Sequence, residues 1–230
     1  MFKDKIILIL GGTGSIGSSI AEAFNDEGAI VCCHGQTGGY SADLRNSTET
    51  TQLIEKIIGK YGFIDVIVNS VSNLANIASF EKKDWADFIG HLEIQLKSCV
   101  ETTKLVLPYM KKRGNGKIIN ILSSYTIGSP PSSLSDYVTA KYALLGLTKA
   151  LAKELGRFNI NVNAVSPSFI KNSFTKNIPE KLDEILILQT PMGRLTTEKD
   201  VANTVLFLAS EKANFISGEN IVVSGGSVMN

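Results

Sequence analysis

The stretch KIILILGGTGSIGSSIAEAFNDEG, residues 5–28, determines the fold that this chain is expected to adopt. It begins with a short β-prone apolar run, continues through a glycine-rich turn and ends with an amphipathic segment that stops at Gly28. A strand, a glycine turn and a helix in this order form the context of a dinucleotide-binding fingerprint. Glycine allows a tight turn and a close approach of the backbone to a pyrophosphate, whose charge would lie at the helix N-terminus.

The rest of the chain alternates between β-prone apolar runs and amphipathic segments. The runs predict strands at 5–10, 29–34, near 43, 64–69, 117–122, 160–165 and 220–223. The amphipathic segments predict helices at 15–26, 48–60, 81–112, 136–157 and 197–209. This alternation predicts an α/β fold, a doubly wound parallel sheet with helices on both faces, and 230 residues suit one domain, 1–230. Ligands of such a sheet bind beyond the carboxyl ends of its strands.

The composition excludes several classes of function. With 43% hydrophobic residues, 20% charged residues and a net charge of +1, the chain has no charge field for nucleic acid. The longest apolar runs fall far below the roughly 18 residues of a membrane span, and no signal peptide is visible, so a cytoplasmic protein without membrane contact is expected. Cys32, Cys33 and Cys99 form no disulfide framework, and neither His34 nor His91 has partners at ligand spacing, so no metal site is expected.

Tyr137 and Lys141 stand four residues apart in the amphipathic segment SDYVTAKYALLGLTKALAKEL. Residues i and i+4 share a helix face, so the phenol and the ammonium can lie side by side. A nearby cation favours the phenolate and lowers a tyrosine pKa from about 10 toward the range that proton exchange needs. Ser124, thirteen residues earlier, can hold a substrate oxygen while Tyr137 exchanges the proton. For an isolated pair of this kind, an ordinary helix-surface contact is the alternative interpretation.

Seven segments follow one another in a characteristic order: GGTGSIG, IDVIVNSVS, IINILSS, YVTAK, NVNAVSPSFI, PMGRLTTEKDVANTVLFLAS and ISGENIVVSGG. In this order the chain resembles the short-chain dehydrogenase/reductases, single-domain branch, from Lys5 to Gly226. The resemblance implies a Rossmann fold and an oxidoreductase that transfers hydride between a nicotinamide cofactor and a carbonyl or secondary alcohol. The C-terminal half is similar to bacterial 3-oxoacyl-carrier-protein reductases, which makes the expected substrate a small-molecule carbonyl or alcohol, with acyl thioesters as one candidate class.

The resemblance also implies catalytic roles. Ser124, Tyr137 and Lys141 match the catalytic Ser-Tyr-Lys of the family. Gln95 takes the place of the helix asparagine that completes a proton relay. Relatives pair through the helices that correspond to 81–112 and 136–157, so a homodimer or homotetramer is expected.

Cofactor contacts are implied in the same way. Asp43 matches an acidic residue that contacts adenine, Asn69 an asparagine beside the ribose, and Pro167–Ile170 the segment whose backbone holds the nicotinamide carboxamide. The expected cofactor-binding residues lie in the glycine turn, at the ends of strands and on the catalytic helix: Gly11, Gly14, Ser15, Ile16, Gly17, His34, Asp43, Leu44, Asn69, Ser70, Tyr137, Lys141, Pro167 and Ile170.

The chain departs from the family pattern at four places. The glycine spacing is that of a longer, sugar-modifying branch, with Ser15 where the single-domain branch has its middle glycine. Asn69–Ser72 replaces Asn-Asn-Ala-Gly, Gln95 replaces the relay asparagine, and Ser168 and Asn172 stand where Gly and Thr are favoured. Two alternatives therefore stay open: a cofactor-binding protein without turnover, and a sugar-nucleotide-modifying enzyme, for whose additional domain 230 residues leave no room.

Two segments are expected to be irregular. Only the eight residues 35–42 separate the second strand from Asp43, and three of them are glycines. The helix that relatives place there is therefore expected to be replaced by a loop, close to where the adenosine ribose should bind. Residues 171–195, with the short amphipathic piece PEKLDEILILQ, are expected to form the substrate lid.

The choice of cofactor depends on the end of the second strand. An NAD site normally has Asp or Glu there to bind the ribose 2′-hydroxyl, but this strand ends Cys33-His34-Gly35. No carboxylate would repel a 2′-phosphate, and the first cation that follows is Arg45. His34 is expected to donate one hydrogen bond and Gln36, Thr37 and Ser41 to add neutral donors, which favours NADP over NAD with weak discrimination.

Overall fold

The computed structural model describes residues 1–35, 39–73, 76–172, 175 and 180–229. Within them the chain forms one parallel sheet of seven strands in the order β3-β2-β1-β4-β5-β6-β7. The strands are β1 Ile6–Leu10, β2 Ile30–Gly35, β3 Tyr40–Ser41, β4 Val66–Asn69, β5 Gly116–Ile121, β6 Ile160–Pro167 and β7 Asn220–Val223. The helices are α1 Ser15–Asp26, α2 Ser47–Tyr61, α3 Trp85–Leu92, α4 Ser98–Arg113, α5 Ser135–Leu155, α6 Glu180–Gln189 and α7 Glu198–Ala209.

Every residue of β1 is buried, as are all residues of β4, β5 and β6. A parallel sheet covered by helices on both sides favours apolar strands, since neither face meets water, and β1 is apolar throughout. The buried polar residues of β5 and β6 are paired by side-chain hydrogen bonds, as between Lys117 and Asn161. The predicted parallel α/β sheet is confirmed, and its strands agree with the predicted ranges to within a few residues.

Two hydrophobic clusters cover the two faces of the sheet. One cluster packs α1 and α7 against the sheet around Phe24 and Val205. The other packs α2, α4 and α5 against the opposite face around Ile57, Met110 and Leu155. Helices on both faces make the sheet doubly wound and leave the carboxyl ends of the strands as the place where loops from both layers meet.

The connection between β2 and β3 is short, as expected. Four residues separate Gly35 from Tyr40, which is too few for a crossover helix, yet the two strands pair in parallel, His34 opposite Tyr40. β3 lies two residues earlier than the strand predicted near 43. Three of the connecting residues, 36–38, lie outside the described part of the chain, and with them the expected donors Gln36 and Thr37.

The single helix predicted at 81–112 is divided. Asp84 caps α3 by accepting from the Asp87 amide while the Asp87 side chain accepts from Asp84, so the helix begins at Trp85. A π-helical segment, Glu93–Lys97, then joins α3 to α4. Such segments are common at functional sites because they displace one side chain from the regular helical positions. Apolar periodicity alone does not reveal such an insertion.

Within the expected lid, α6 forms over the amphipathic piece, and residues 173–174 and 176–179 lie outside the described part of the chain. The role of a substrate lid stays a prediction. None of the helices described is both long enough and apolar enough to cross a membrane.

Candidate active site

The glycine turn brings the ends of β1 and β4 into close contact. A Cβ atom on Gly11, whose φ is +75°, would lie 2.6 Å from the carbonyl oxygen of Ser70. A Cβ atom on Gly17 would lie 2.0 Å from the carbonyl oxygen of Gly11, so no side chain fits where α1 meets the turn. The expected glycines at 11 and 17 are thus required by packing, and Gly14 is the residue that precedes the first turn of α1.

The start of α1 suits a bound pyrophosphate. The helix has twelve residues, begins at Ser15 and has no acidic side chain in its first turn. The amide groups of a first helical turn have no partners within the helix and, with the helix dipole, favour an anion. Ser15 is half-buried, while Ile16 packs against the apolar cluster below it. The cradle that the chain forms here fits the dinucleotide implied by the sequence.

His34, at the end of β2, is buried and bonded through both ring nitrogens. The Gly11 amide donates to Nδ1 at 3.2 Å, and Nε2 lies 2.9 Å from the Ala42 carbonyl oxygen. Nδ1 must therefore be the acceptor and Nε2 the donor, and burial lowers the pKa of the ring, which keeps it neutral. This corrects the sequence analysis: His34 supports the glycine turn, and neither nitrogen is left to donate to a 2′-phosphate.

Asp43 is held by its neighbour Arg45. The guanidinium donates through Nε and Nη2 to both carboxylate oxygens, at 2.9 Å to Oδ1 and 2.7 Å to Oδ2. The hydrogen bonds from Arg45 lower the pKa of Asp43 to about 2. Asp43 is partly exposed and can still meet an adenine amino group, whereas the Leu44 side chain is buried in the core and leaves only its backbone for a cofactor.

Asn69, at the end of β4, links this strand to its neighbour through its side chain. Its amide nitrogen donates to the Asn120 side-chain oxygen at 2.6 Å and lies 3.1 Å from the Cys99 sulfur. Asn120 in turn donates to the Thr148 hydroxyl at 2.8 Å. The Asn69 amide nitrogen therefore faces the interior and ties β4 to β5, while its side-chain oxygen has no hydrogen-bond partner among the described residues. The Ser70 backbone meets the glycine turn.

The proposed carboxamide segment is anchored at both ends. Pro167 ends β6 and is buried, and the Ile170 side chain packs in the core. The carbonyl oxygen of Ile170 accepts from the Thr175 hydroxyl at 2.9 Å, and the Ser168 hydroxyl lies 2.7 Å from that of Thr196. The backbone between Pro167 and Ile170 is thus fixed beyond the carboxyl end of β6, where a segment that holds the nicotinamide carboxamide is expected to lie.

Tyr137 and Lys141 lie together on α5, as their spacing predicts. The Lys141 ammonium is 5.6 Å from the centre of the Tyr137 ring and donates to the Ile121 carbonyl oxygen at 2.8 Å. Lys141 is buried, and Tyr137 is half-buried. Ser124 is buried at the start of a short helical turn just beyond β5. The structure thus collects Ser124, Tyr137 and Lys141 at one edge of the sheet.

Ser123 is a neighbour of Tyr137 that sequence reasoning missed. Its hydroxyl forms a side-chain hydrogen bond with Tyr137 and accepts from the Tyr125 amide at 3.3 Å. The sequence could have indicated this role of Ser123, because it places two serines side by side. One hydroxyl can then bind the tyrosine while the other binds a substrate.

Burial controls the charges of the pair. It raises the pKa of Tyr137 to about 12, although the hydrogen bond with Ser123 lowers it in part, and it lowers the pKa of Lys141 to about 7. The pKa of Tyr137 is thus raised, whereas the four-residue spacing to Lys141 led us to expect a lowered pKa. A buried lysine near neutrality carries only part of its charge, so it favours the phenolate less than an exposed ammonium would.

A second polar group packs behind Tyr137. Its members are Lys83, His91, Gln95 and Asp136, all with buried side chains. Lys83 pairs with Asp136 at 2.6 Å, and His91 lies 3.7 Å from the same carboxylate oxygen. The other His91 nitrogen is 3.1 Å from the Gln95 amide nitrogen. The i, i+4 spacing of His91 and Gln95 was the signal for this pair in the sequence.

Comparisons with known proteins show the family that this chain resembles. The sequence pattern that describes enoyl-(acyl carrier protein) reductases matches residues 11–228. The 3-oxoacyl-[acyl-carrier-protein] reductase FabG of Thermotoga maritima is 33% identical over 247 residues, covering 99% of each chain. The 3alpha-hydroxysteroid dehydrogenase of Mediterraneibacter gnavus is 30% identical, covering 99% of this chain and 98% of its own. The ligand-free aldohexose dehydrogenase of Thermoplasma acidophilum superposes with a TM-score of 0.91 at 28% identity, covering 98% of this chain and 94% of that one.

Proposed function

This chain belongs to the short-chain dehydrogenase/reductase family and is an NAD(P)-dependent oxidoreductase, and on that basis we propose that it interconverts a carbonyl group and a secondary alcohol with Tyr137 as the proton-exchanging group. The observation that carries the proposal is the position of Tyr137, which is hydrogen-bonded to Ser123 and lies beside the buried Lys141. Relatives that match this chain nearly end to end are named reductases and dehydrogenases, so the glycine spacing alone gives no reason to prefer a sugar-nucleotide-modifying function.

Tyr137 is suited to act as an acid in the reducing direction. With a pKa of about 12 its phenol stays protonated at neutral pH and can give its proton to a carbonyl oxygen as that oxygen becomes negative. The nicotinamide cofactor, when bound, supplies or accepts the hydride. The tyrosinate that remains lies next to Lys141, which with a pKa of about 7 can take up a proton and stabilise the new charge.

Ser123 and Ser124 divide the hydroxyl functions of the site in this proposal. Ser123 donates to the Tyr137 oxygen, which favours the phenolate and leaves the phenolic proton for the substrate. Ser124, at the start of the next turn, is left to donate to the substrate oxygen. A hydrogen bond aimed at the oxygen on which charge develops stabilises the transition state more than the ground state.

The proposed substrate is a ketone on an apolar molecule, with 3-oxoacyl thioesters as the first class to test. Two relatives are named for such couples, a 3-oxoacyl chain and a 3-hydroxysteroid. An aromatic cluster of Phe80, Trp85 and Phe88 adds support from the structure. Trp85 and Phe80 are 68% and 72% exposed, and Phe88 lies one helical turn before His91, whose ring contacts Tyr137. An apolar substrate entering from this side would cover rings that otherwise face water.

The proposed cofactor is NADP(H), with weak discrimination against NAD(H). No carboxylate ends β2, and a Cβ atom on Gly35 would lie 2.3 Å from the Thr13 hydroxyl, so Thr13 occupies the space where an acidic side chain would stand. Without that carboxylate a 2′-phosphate meets no repulsion. Arg45, the first cation after β2, forms an ion pair with Asp43. A strong charge-assisted hydrogen bond from Arg45 to the 2′-phosphate is therefore not expected.

The function is tested by following oxidation of NADPH and NADH with 3-oxoacyl thioesters, cyclic ketones and aldoses. Turnover of at least one ketone is expected, and its loss in Tyr137→Phe with cofactor affinity preserved would assign the proton to Tyr137. If Tyr137→Phe keeps more than a few per cent of the rate, the phenol is not the acid. If the cofactor binds and no carbonyl is reduced, the proposed carbonyl chemistry is wrong.

A further inference from the structure

The polar group behind Tyr137 contains a buried hydrogen-bond acceptor that nothing fills within the described chain. Gln95 is 1% exposed and lies in the middle of the π-helical segment. Its side-chain nitrogen is 3.1 Å from Nδ1 of His91, while its side-chain oxygen, Oε1, has no hydrogen-bond partner among the described residues. Buried polar atoms are rarely left without a partner, so an unpaired acceptor beside an active site calls for a functional explanation.

Asp136 determines the orientation of that amide through His91. Although burial opposes ionisation, hydrogen bonds from Lys83 and from the Tyr137 amide lower the pKa of Asp136, so its carboxylate is charged. The Nε2 atom of His91 faces this carboxylate at 3.7 Å, longer than a direct hydrogen bond, and the negative charge favours the tautomer with the proton on Nε2. Nδ1 is then an acceptor, the Gln95 nitrogen must donate to it, and Oε1 is turned away from the ring.

The polar group adjoins the catalytic pair on α5. The rings of His91 and Tyr137 meet edge to face with centres 5.8 Å apart. Lys141 is close enough for its charge to lower the pKa of His91. The backbone amide of Tyr137 donates to Asp136 Oδ1 at 2.9 Å, so the same carboxylate that orients His91 also holds the start of α5.

We propose that His91 is a positioning residue for proton transfer. It holds the Gln95 amide so that Oε1 accepts a hydrogen bond from a water bound to Lys141. Protonation of His91 reverses the amide and removes this acceptor. The proposal rests on the proposed function, because the proton that Tyr137 gives to a ketone must be replaced through Lys141. A water between Lys141 and Oε1 would satisfy both buried groups. With His91 protonated, both ring nitrogens become donors, Oε1 turns to Nδ1, and the amide presents N–H groups to the lysine instead.

The charges around His91 set the pH at which this change occurs. Burial lowers the pKa of the ring, Asp136 and Asp87 raise it, and Lys83 and Lys141 lower it, with a net pKa below the ordinary 6.5. His91 is therefore neutral at pH 7, and the Gln95 acceptor is in place. As the pH falls below 6.5, His91 becomes protonated in an increasing fraction of the molecules, and these lose the Gln95 acceptor. The rate of ketone reduction is therefore expected to fall on the acid side.

Two substitutions separate positioning from packing. His91→Asn keeps an oxygen near the place of Nδ1 that can accept from Gln95 but does not titrate, whereas His91→Phe keeps the ring volume and has no acceptor. Rates of ketone reduction are measured from pH 5 to 8 together with the solvent deuterium isotope effect. At pH 7, His91→Phe should lose about tenfold in kcat with KM unchanged and show a larger isotope effect, and His91→Asn should lose no more than about threefold. His91→Asn should also lose the acid limb of the parent below pH 6.5.

A measurement on the cofactor-free protein keeps this inference distinct from the proposed function. Nitrogen-15 chemical shifts of His91 at pH 7 should show the proton on Nε2, and Gln95→Leu should shift the Nδ1 resonance because its donor is lost. Melting temperatures of both His91 variants show whether either merely unfolds. The inference is overturned if the proton is on Nδ1, if His91→Asn keeps the acid limb, or if a folded His91→Phe matches His91→Asn at every pH. Absence of ketone reduction with the expected nitrogen shifts would contradict the proposed function instead.

Discussion

The backbone amide of Gly11 donates a hydrogen bond to Nδ1 of His34, so the imidazole at the end of β2 supports the glycine turn that follows β1. The bond joins residues 23 positions apart and lies next to the site where Gly11 meets the Ser70 carbonyl. Through its other nitrogen His34 also reaches Ala42, beyond the short connection to β3. One side chain therefore links the turn expected to hold the pyrophosphate to the segment expected to hold the adenosine.

Substitutions of His34 should separate these two links. Asn places an oxygen near Nδ1 and keeps the bond from Gly11, whereas Gln reaches only as far as Nε2 and keeps the bond to Ala42. Leaving the Gly11 amide without a partner costs about 1–3 kcal/mol, so His34→Gln should weaken NADPH binding about tenfold and His34→Asn about threefold or less. Fluorescence titration with NADPH measures both affinities. Equal losses in the two variants would show that the Gly11 bond does not control the turn.

The adjacent serines should respond differently to alanine. The hydrogen bond from Ser123 lowers the pKa of Tyr137, so Ser123→Ala should raise that pKa and move the alkaline limb of the pH–rate profile to higher pH. Ser124→Ala should leave the limb in place and reduce kcat by about a hundredfold, because it removes a donor to the substrate oxygen. Profiles of kcat from pH 6 to 11 test both: with a Tyr137 pKa of about 12 the parent shows the onset of the limb between pH 10 and 11, and Ser123→Ala should be flatter there. A reversed result, with Ser124→Ala moving the limb, would exchange the two roles.

The fold was predictable from the sequence because strands and helices depend on neighbouring residues, whereas the polar contacts depend on residues that are far apart in the chain. Strands and helices follow from local patterns, such as the unbroken apolar run of β1 between Lys5 and Gly11. The partners of His34, by contrast, come from two other segments, and no local pattern indicates that both ring nitrogens are used inside the protein. The same holds for Tyr137: its spacing to Lys141 was sufficient to predict their contact, but the direction of its pKa shift depends on burial by residues far away in the sequence.

Cofactor preference should be weak and should not depend on Arg45 alone. NADPH is expected to be preferred over NADH by at most about a hundredfold in kcat/KM, about 2.7 kcal/mol at 1.36 kcal/mol per decade. Because Arg45 is engaged by Asp43, Arg45→Ala should affect both cofactors alike. Steady-state kinetics with each cofactor measure this. A preference for NADH above tenfold would mean that the β2–β3 connection excludes the 2′-phosphate, and a loss confined to NADPH would mean that Arg45 leaves Asp43 to bind it.

A homodimer or homotetramer remains the expected state. Tyr109 on α4 and Tyr142 on α5 are 39% and 47% exposed, and half-buried leucines such as Leu105 and Leu145 lie on the same helices. Covering these rings with a second copy would stabilise the assembly. Light scattering at micromolar concentration should give a mass at least twice that of the chain, and Tyr142→Asp should shift it toward the monomer. Asn25→Asp, which adds the same single negative charge on α1 at the opposite face of the sheet, is a control for charge alone. A monomeric parent protein would refute the expectation.

The stability of the cofactor-free protein should increase from pH 7 to pH 9. Burial lowers the pKa of Lys141 from 10.5 to about 7 and that of Lys117 to about 8. Between these values and 10.5 the unfolded chain binds protons that the folded chain does not, so a rise in pH favours the folded state, and below pH 7 this dependence vanishes. Together the two lysines add about 4 kcal/mol to the free energy of unfolding from pH 7 to 9, the larger part from Lys141. Burial raises the pKa of Cys32, Cys33 and Cys99 above their ordinary 9.0, so ionisation of these thiols in the unfolded chain offsets about 1 kcal/mol of this increase by pH 9 and more at higher pH, where the range ends.

Urea unfolding at fixed protein concentration, with Lys141→Met and Lys117→Met, assigns this increase to individual lysines. Lys141→Met should remove the part that begins near pH 7, because the buried cation is gone and its burial no longer opposes folding. Lys117→Met should keep the rise in stability that begins near pH 7 and lose only the smaller rise that begins near pH 8. This variant should also be less stable at all pH values, because the hydrogen bonds from Lys117 to Asn161 and Asn214 are lost. A parent protein whose stability is flat or falls from pH 7 to 9 would contradict the buried, partly neutral Lys141. So would a Lys141→Met variant that keeps the slope of the parent, since the slope would then belong to other groups.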